Sequence, residues 1–242
     1  MAETVHAFRS AHLGNERSIW IREPAVPSQP YGLTIFLDGE LYRDRVGVIA
    51  IIDDLEARAA LANSLFVFVS MHSEEARWIE CPCHQSFADF INGELVTWLE
   101  AKYPAVKKSA ERILIGLSYT GLAAAFIAMK APGAFTHVVA QSGSFWWNDC
   151  WLVEQFRRLE TRLPTAFYFD VGSKETNENV RHKIDVLQVV SQIAAIRRLR
   201  DVMLDQGYAI KYVEFEGGHE FAAWRKTLPE ALRWVLPAST KD

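Results

Sequence analysis

The chain has 242 residues, of which half are apolar and eight are tryptophan, and this is enough apolar material to build a large buried core. A net charge of −4 and an isoelectric point near 6.0 provide no basic surface for nucleic acid or for an anionic membrane. No apolar run reaches the ~18 residues that a membrane-spanning helix needs, so neither class of partner is expected.

Short apolar, β-branched runs alternate along the chain with longer stretches of helical periodicity. The predicted strands cover residues 18–22, 33–37, 65–71, 112–115, 137–141, 166–171 and 210–215. The predicted helices cover residues 47–62, 86–102, 121–129, 149–159, 184–206 and 220–236. This alternation predicts a mostly parallel central sheet with right-handed crossovers and helices on both faces. No repeat or linker divides the sequence, so we expect one domain over residues 1–242.

The N-terminus and the cysteines bear on the cellular compartment. The segment MAETVHAFRSAHLG lacks the basic start and the apolar run of a secretory signal. Three cysteines at no framework spacing suit reduced thiols, so we expect a cytoplasmic protein. Cys81-Pro82-Cys83-His84 holds three soft ligands together, but a structural zinc wants a fourth, usually from a second cluster, and no metal site is expected.

Polar residues follow several of the predicted strands, where open α/β sheets bind their ligands. A serine, a carboxylate and a histidine each follow a different strand, at Ser118, Glu175 and His219. The chain order of serine, acid and histidine is that of the α/β-hydrolase fold. We therefore expect this fold.

Ser118 lies in the segment ILIGLSYTGLAAAF, where a strand turns sharply into a helix. In a nucleophile elbow the serine has a strained backbone, so its neighbours must be small. Gly116 and Gly121 meet that need, whereas Thr120 stands where glycine is more common. The alternative is a serine that only caps the helix, but the motif favours a nucleophile.

His219 follows the strand at 210–215, and a histidine there can take the proton of a serine hydroxyl near neutral pH. The alternative is a surface histidine that caps the last helix. The acid that orients the imidazole should follow the strand in between. We favour Glu175, which comes after a glycine–serine turn, over Asp170, which lies inside the apolar segment AFYFDVG. Asp185 is the remaining option.

Two backbone N–H groups are expected to bind the oxyanion that forms during acyl transfer. The first belongs to Tyr119, at the start of the helix that follows Ser118. The second belongs to Glu40, after a bend that Gly39 allows. Asp38 precedes the serine in the chain, and we expect it to brace this loop.

With these motifs the chain resembles the "putative esterase" (esterase D-like) family of α/β-hydrolases, and within it the enterochelin esterase branch. The matching segments are FLDGE, ARWIEC followed by FADFINGELVTWLE, GLSYTGLAAA, AQSGSFWW and GGHEFAAWRKTLPEAL. The resemblance implies Ser118 as nucleophile, His219 as base and Glu175 as acid. It also implies Tyr119 and the backbone after Gly39 as oxyanion contributors.

The resemblance has consequences for the substrate. It places Arg77 near the site, in contact with an acidic or phenolic substrate, although an ion pair with Glu80 is an equal alternative. Glu94 matches a recurrent position in the helix before the elbow strand, where a buried bracing role is expected in preference to a catalytic one. The extra N-terminal domain of the cytosolic members and the signal of the periplasmic ones are absent from the sequence, so the reaction class transfers better than the siderophore substrate.

The stretch between Gln141 and the next predicted strand is short, which leaves no room for a large helical lid and predicts an open site. Four tryptophans lie near strand ends and are expected to line a pocket for the acyl or alcohol group. They are Trp78, Trp146, Trp147 and Trp224. The alternative is that half of them pack under loops.

We therefore expect a serine esterase that cleaves a small-molecule carboxylic ester, such as a siderophore-type ester, through an acyl-enzyme on Ser118 and without cofactor or metal. Two alternatives stay open. One is an acyltransferase with the same three residues, and the other is a catalytically silent homologue that binds a ligand in the same cleft. The oligomeric state is not indicated.

Overall fold

The computed structural model describes residues 3–27, 31–107 and 111–238, in which ten strands and ten helices are connected by short loops. The strands are β1 (Glu3–Arg9), β2 (Glu16–Arg22), β3 (Gly32–Leu37), β4 (Ser64–Val69), β5 (Arg112–Leu117), β6 (His137–Gln141), β7 (Ala166–Gly172), β8 (Val180–Lys183), β9 (Val186–Gln188) and β10 (Ile210–Phe215). The helices are α1 (Gly39–Leu41), α2 (Val48–Ala57), α3 (Glu74–Glu80), α4 (Gln85–Asp89), α5 (Val96–Lys102), α6 (Pro104–Lys107), α7 (Tyr119–Lys130), α8 (Trp147–Arg157), α9 (Gln192–Asp205) and α10 (Phe221–Val235). Two π-helical turns, Tyr42–Val46 and Phe90–Leu95, adjoin α1 and α4.

Eight strands form one sheet in the order β1-β2-β4-β3-β5-β6-β7-β10. The strands from β4 to β10 in this order are parallel, while β1 and β2 add an antiparallel edge. Every residue of β3 and β4 is buried, as expected of strands covered on both faces. The predicted mostly parallel sheet is confirmed.

Helices cover both faces of the sheet and bury two apolar clusters. The larger cluster lies under α4, α5, α7, α8 and α9, and the smaller one lies under α2 and α10. In the smaller cluster Phe36 and Phe68 stack with their ring centroids 5.0 Å apart. Within the described residues, no helix combines the length and the apolar character required to cross a membrane.

The structure differs from the sequence prediction in several elements. The predicted helix 184–206 is wrong in its first part, because β8 and β9 form an antiparallel hairpin there and α9 begins only at Gln192. The apolar residues before α9 belong to a β-branched run that suits a strand as well as a helix. Strand β1 and helix α3 were not predicted, since β1 is a mostly exposed edge strand without a continuous apolar run. Helix 86–102 is interrupted by a π-helical turn.

The turn between β5 and α7 holds Ser118 in a strained conformation, with φ 52° and ψ −119°. The residues on either side of Ser118 pack closely against each other and hold this backbone conformation in place. A Cβ atom on Gly116 would lie 2.1 Å from the carbonyl oxygen of Thr120. Thr120 itself closes the turn, because its hydroxyl oxygen accepts the N–H of Leu117 at 3.0 Å. The turn therefore requires glycine at position 116 and accepts threonine at position 120.

We expect Gly116→Ala to lower the free energy of unfolding by about 3 kcal/mol, because the new methyl group overlaps a backbone carbonyl that cannot move away. The measurement is urea denaturation followed by tryptophan fluorescence. Gly93→Ala is the matched control, since an added Cβ there meets no atom within 4 Å. Equal stability of the two variants would contradict this account of the turn.

Candidate active site

Three side chains from different strand ends meet at one edge of the sheet. Ser118 follows β5, Glu175 follows β7, and His219 follows β10. The Nε2 atom of His219 lies 3.0 Å from Ser118 Oγ, and its Nδ1 atom lies 2.6 Å from Glu175 Oε2. The carboxyl ends of parallel strands meet at the same edge, which brings together residues 101 and 44 positions apart in the chain.

The carboxylate of Glu175 is buried and fixed on both of its oxygens. Oε1 accepts hydrogen bonds from the hydroxyl of Ser142 (2.6 Å) and from the N–H of Gly172 (2.7 Å). Oε2 is thereby left to His219 alone. The loops of the acid and the histidine are also tied together, because the N–H of Lys174 donates to the carbonyl of Gly217 at 2.9 Å.

Ser142 and Trp224 support the acid and the histidine, and Ser142 was not anticipated from the sequence. The fully buried Ser142 hydroxyl donates to Glu175 and accepts from the indole N–H of Trp224 at 3.0 Å. The ring of Trp224 also meets the imidazole of His219 edge to face, at 4.9 Å between centroids. Trp224 is 3% exposed, so it acts mainly as a buried support and only borders the cleft.

Asp170 and Asp185, the other two carboxylates considered for the acid, have different surroundings. Asp170 is fully buried and accepts hydrogen bonds from the N–H of Ser142 and the hydroxyl of Thr227. Burial raises the pKa of its carboxyl to about 7, although these hydrogen bonds act in the opposite direction. Asp185 is exposed in the turn of the β8–β9 hairpin. Neither residue makes a hydrogen bond or an ion pair with His219 in the described structure.

The loop that carries Glu40 is fixed through Asp38 to the turn at Ser118, between β5 and α7. The buried carboxylate of Asp38 accepts a hydrogen bond from the hydroxyl of Thr120 at 2.9 Å, so it braces the loop as expected. Gly39 allows the close approach to β4, because a Cβ there would lie 2.7 Å from backbone atoms of that strand. Glu40 and Tyr119 stand in the first turns of α1 and α7.

Arg77 forms an ion pair with Asp38. Its Nε and Nη2 atoms donate to the two carboxylate oxygens at 2.8 and 2.7 Å. The alternative pair with Glu80 is wrong, since Glu80 binds Arg17 instead. Arg77 borders two clefts that meet at Ser118, where a substrate would reach it.

The half-buried Glu94 braces the N-terminal part of the chain. Its carboxylate accepts hydrogen bonds from the hydroxyl of Ser10 and from the N–H groups of Ala11 and His12. These contacts fit the bracing role expected for Glu94, although its side chain is half-buried and not buried as expected. Within residues 3–27, 31–107 and 111–238, no group of three or more His, Cys, Asp or Glu side chains is placed to hold a metal ion.

Two clefts open on either side of Ser118 and His219. The first cleft has a volume of about 380 Å³ and three aromatic walls, Trp78, Tyr119 and Trp146. The ring of Tyr119 meets Trp78 at 4.8 Å and Trp146 at 5.7 Å, both edge to face. The second cleft has a volume of about 520 Å³ and borders α1 and the start of α10.

The hairpin of β8 and β9 forms the outer rim of the first cleft. Its His182 ring stacks on Trp146 at 4.9 Å with an interplanar angle of 11°. Gln188 bonds His182 and also lines the cleft. A fairly open site was expected, and this hairpin, which was not expected, borders it on one side. The sequence prediction missed the rim because it assigned residues 184–206 to a helix.

Trp147 does not occupy the place expected for it. The sequence predicted that it would line the pocket, but it borders neither cleft and packs edge-on against Trp151 at 6.4 Å. Its neighbour Trp146 points inward and donates its indole N–H to Gln192. The two residues point in different directions because the chain enters α8 between them.

The family model described as "Putative esterase" matches residues 10–235. The iron(III) enterobactin esterase of Dickeya dadantii (strain 3937) is 26% identical over 96% of this chain and 54% of its own length. The iron(III) salmochelin esterase of Escherichia coli O6:H1 (strain CFT073) is 27% identical over 90% of this chain and 54% of its own length. This chain thus spans about half the length of the curated relatives it matches.

A similar fold is found among solved structures. The crystal structure of the enterobactin esterase from Shigella flexneri in the presence of enterobactin superimposes with a TM-score of 0.85 and 22% identity. The match covers 97% of this chain and 58% of that chain. Together with the strand order, it shows that the chain has the α/β-hydrolase fold.

The buried Asp170 predicts a pH-dependent stability. Its folded-state pKa of about 7 lies above the value near 3.9 of an unfolded chain, so the folded protein retains a proton that the unfolded chain has released. The free energy of unfolding should therefore fall as the pH rises from about 4 to 7. We expect Asp170→Asn to remove this fall, so that the variant gains about 2–4 kcal/mol relative to wild type between pH 4.5 and pH 8.

Urea denaturation of both proteins at the two pH values measures this difference. Asp44→Asn serves as the control, because Asp44 is exposed and makes no hydrogen bond in the described structure. A difference between Asp170→Asn and wild type that stays constant with pH would show that the proton is not bound at Asp170.

Proposed function

This chain belongs to the family described as "Putative esterase", and from this we propose that it is a serine esterase in which Ser118, His219 and Glu175 carry the reaction. The observation that supports the proposal most strongly is the unbroken contact from Glu175 Oε2 through His219 to Ser118 Oγ, at 2.6 and 3.0 Å. Nucleophile, base and orienting acid within hydrogen-bond distance are what acyl transfer to a serine requires.

In the first half of the reaction the enzyme is acylated. In the neutral imidazole, the Nδ1–H that Glu175 accepts leaves Nε2 without a proton, so Nε2 can accept the hydroxyl proton of Ser118. Ser118 Oγ attacks the ester carbonyl as its proton passes to Nε2. The tetrahedral intermediate collapses when the C–O bond of the ester breaks and the leaving alcohol takes the proton from Nε2.

In the second half water releases the acid. The water gives a proton to His219 and attacks the acyl carbon, and then the bond to Ser118 Oγ breaks as that oxygen takes the proton back. We assign the N–H groups of Tyr119 and Glu40 to the oxyanion in both halves. Tyr119 N–H starts α7 directly after the nucleophile, and Glu40 lies in the loop that Asp38 ties to the same turn.

We propose that the substrate is a small siderophore-type ester with an aromatic acyl group. Two relatives bear the names of iron(III) enterobactin and salmochelin esterases. The first cleft fits such a group, because aromatic walls favour stacking on a planar ring. Its charged rim residues include Lys174 and Arg77, and cations stabilise an acidic or phenolic acyl group.

We assign the second cleft to the part of the substrate on the other side of the scissile bond. Leu41, Met71 and Phe221 supply apolar surface there, and Glu40 and Glu74 supply carboxylates. Lys174 lines only the first cleft and Glu40 and Glu74 line only the second, while Arg77, paired with Asp38, borders both. A substrate that is anionic at one end only would bind in a single orientation.

We expect a fluorophosphonate probe to label wild type and to leave Ser118→Ala unlabelled. Ser118→Ala and His219→Ala should each lower kcat on a nitrophenyl ester by roughly 10³-fold or more, because nucleophile and base act as one unit. Glu175→Gln should lose roughly 10²-fold or more and keep measurable activity, since the acid orients the imidazole without reacting.

Ser173→Ala and His72→Ala are the controls, because both side chains are exposed and border neither cleft. Wild type that is unlabelled and inactive on every ester of a panel would favour a protein that only binds its ligand. If Asp170→Asn, still folded, were far less active than Glu175→Gln, the acid would be assigned wrongly.

For the substrate, we expect Lys174→Ala to lower kcat/KM on a catecholate trilactone by about 2–5-fold, the usual effect of one exposed charge contact. The value for nitrophenyl butyrate, whose acyl group is neutral, should stay within about twofold. Lys226→Ala is the matched control, as an exposed lysine that borders neither cleft. An equal loss on both esters would refute the role of Lys174 in recognising the acyl group.

A further inference from the structure

Ser144 is the second side chain that faces the nucleophile. Its hydroxyl oxygen lies 3.4 Å from Ser118 Oγ, and its backbone N–H donates to the carbonyl of Ser118 at 2.9 Å. Ser144 is 1% exposed and contributes to the wall of the first cleft. In the described structure, its hydroxyl makes no hydrogen bond other than the one with Ser118 Oγ. A buried hydroxyl with this one partner is directed at the reacting atom.

The protonation of the neighbouring groups determines which serine donates. The carboxylate of Glu175 can only accept, so the Nδ1 atom of His219 carries a proton, and in the neutral imidazole that acts as base Nε2 carries none. Ser118 must therefore donate its single proton to Nε2. A hydroxyl has one proton, so in the contact between the two serines Ser144 is the donor and Ser118 Oγ the acceptor.

We propose that Ser144 is a further catalytic residue, which donates a hydrogen bond to Ser118 Oγ and accelerates hydrolysis of the acyl-enzyme. The inference rests on the proposed function, because it concerns the same nucleophile. Ser144 keeps its proton throughout. The proton that Ser118 Oγ takes up when the acyl bond breaks comes from His219.

The effect falls on one half of the reaction because the acceptor changes strength. In the acyl-enzyme Ser118 Oγ is an ester oxygen, which is a weak acceptor. As the acyl bond breaks, this oxygen gains negative charge, so the hydrogen bond from Ser144 strengthens toward the transition state. In acylation the oxygen starts as a hydroxyl, which is a better acceptor than an ester oxygen, so the hydrogen bond strengthens less toward that transition state.

The observed separation suits this role. At 3.4 Å the contact is longer than the 2.7–2.8 Å that is usual for two hydroxyls. Contacts of catalytic groups are often long in the unliganded enzyme and shorten in the reacting complex. A shift of about 0.6–0.7 Å by either side chain is enough to close the gap.

Ser144→Ala tests the proposal by separating the two steps. Wild type and variant are mixed with nitrophenyl acetate, and the nitrophenol burst gives the acylation rate. Intact-mass spectrometry of quenched samples then follows the decay of the acyl-enzyme. We expect acylation to stay within about twofold and decay to slow by roughly 3–10-fold, which corresponds to one neutral hydrogen bond. When decay limits turnover, kcat and KM then fall together and kcat/KM hardly changes.

Two further variants separate this role from a packing role. Ser144→Cys fills nearly the same space with a weak donor, so the slow decay should persist. Ser142→Ala is the matched control, because it removes another buried hydroxyl from the same loop. That hydroxyl binds Glu175, so both acylation and decay should slow.

Three results would overturn the proposal: decay at the wild-type rate in Ser144→Ala, an equal slowing of both steps, or recovery of the decay rate in Ser144→Cys. They are distinct from a failure of the proposed function. If wild type forms no acyl adduct that Ser118→Ala abolishes, both the esterase function and the role of Ser144 are refuted. If wild type forms and hydrolyses the adduct but Ser144→Ala does so equally fast, only the role of Ser144 is refuted.

Discussion

The hydrogen bond between Glu175 and the Nδ1 atom of His219 is the interaction on which the other features of the site depend. It favours a proton on Nδ1, and the proposed direction of the contact with Ser118 and the proposed donor role of Ser144 both rest on that proton. The bond is held in place because the second oxygen of the carboxylate is occupied by Ser142 and by a backbone N–H. A carboxylate with both oxygens engaged cannot rotate away from the imidazole.

A second set of contacts fixes the turn at Ser118, between β5 and α7. The strained backbone of Ser118 would relax if the turn could open, and the hydroxyl of Thr120 prevents this by bonding the residue before the serine. The same hydroxyl donates to Asp38, whose carboxylate is in turn paired with Arg77. The turn, the loop of Glu40 and helix α3 are therefore linked through one buried carboxylate. Thr120, which stands where such turns commonly have glycine, therefore stabilises the turn and links it to Asp38.

Much of this architecture could be read from the sequence. Alternating apolar runs and helical periodicity predicted the parallel sheet, because strands covered on both faces must be apolar throughout. The polar residues Ser118, Glu175 and His219 stood out because each follows a different buried strand and packing does not explain them. Local patterns were misleading where a short β-branched run precedes a helix, as in the β8–β9 hairpin, since such a run suits either structure.

The sequence by itself thus determined the class of fold and the residues that follow the strands, because both are encoded in local patterns of a few residues. Only the tertiary structure decided which side chains touch. Arg77 pairs with Asp38, 39 positions away, and not with the nearby Glu80. Trp146 faces the cleft while Trp147 does not, and Ser144 reaches the nucleophile. Such contacts depend on how strand ends are placed relative to one another, which no local pattern specifies.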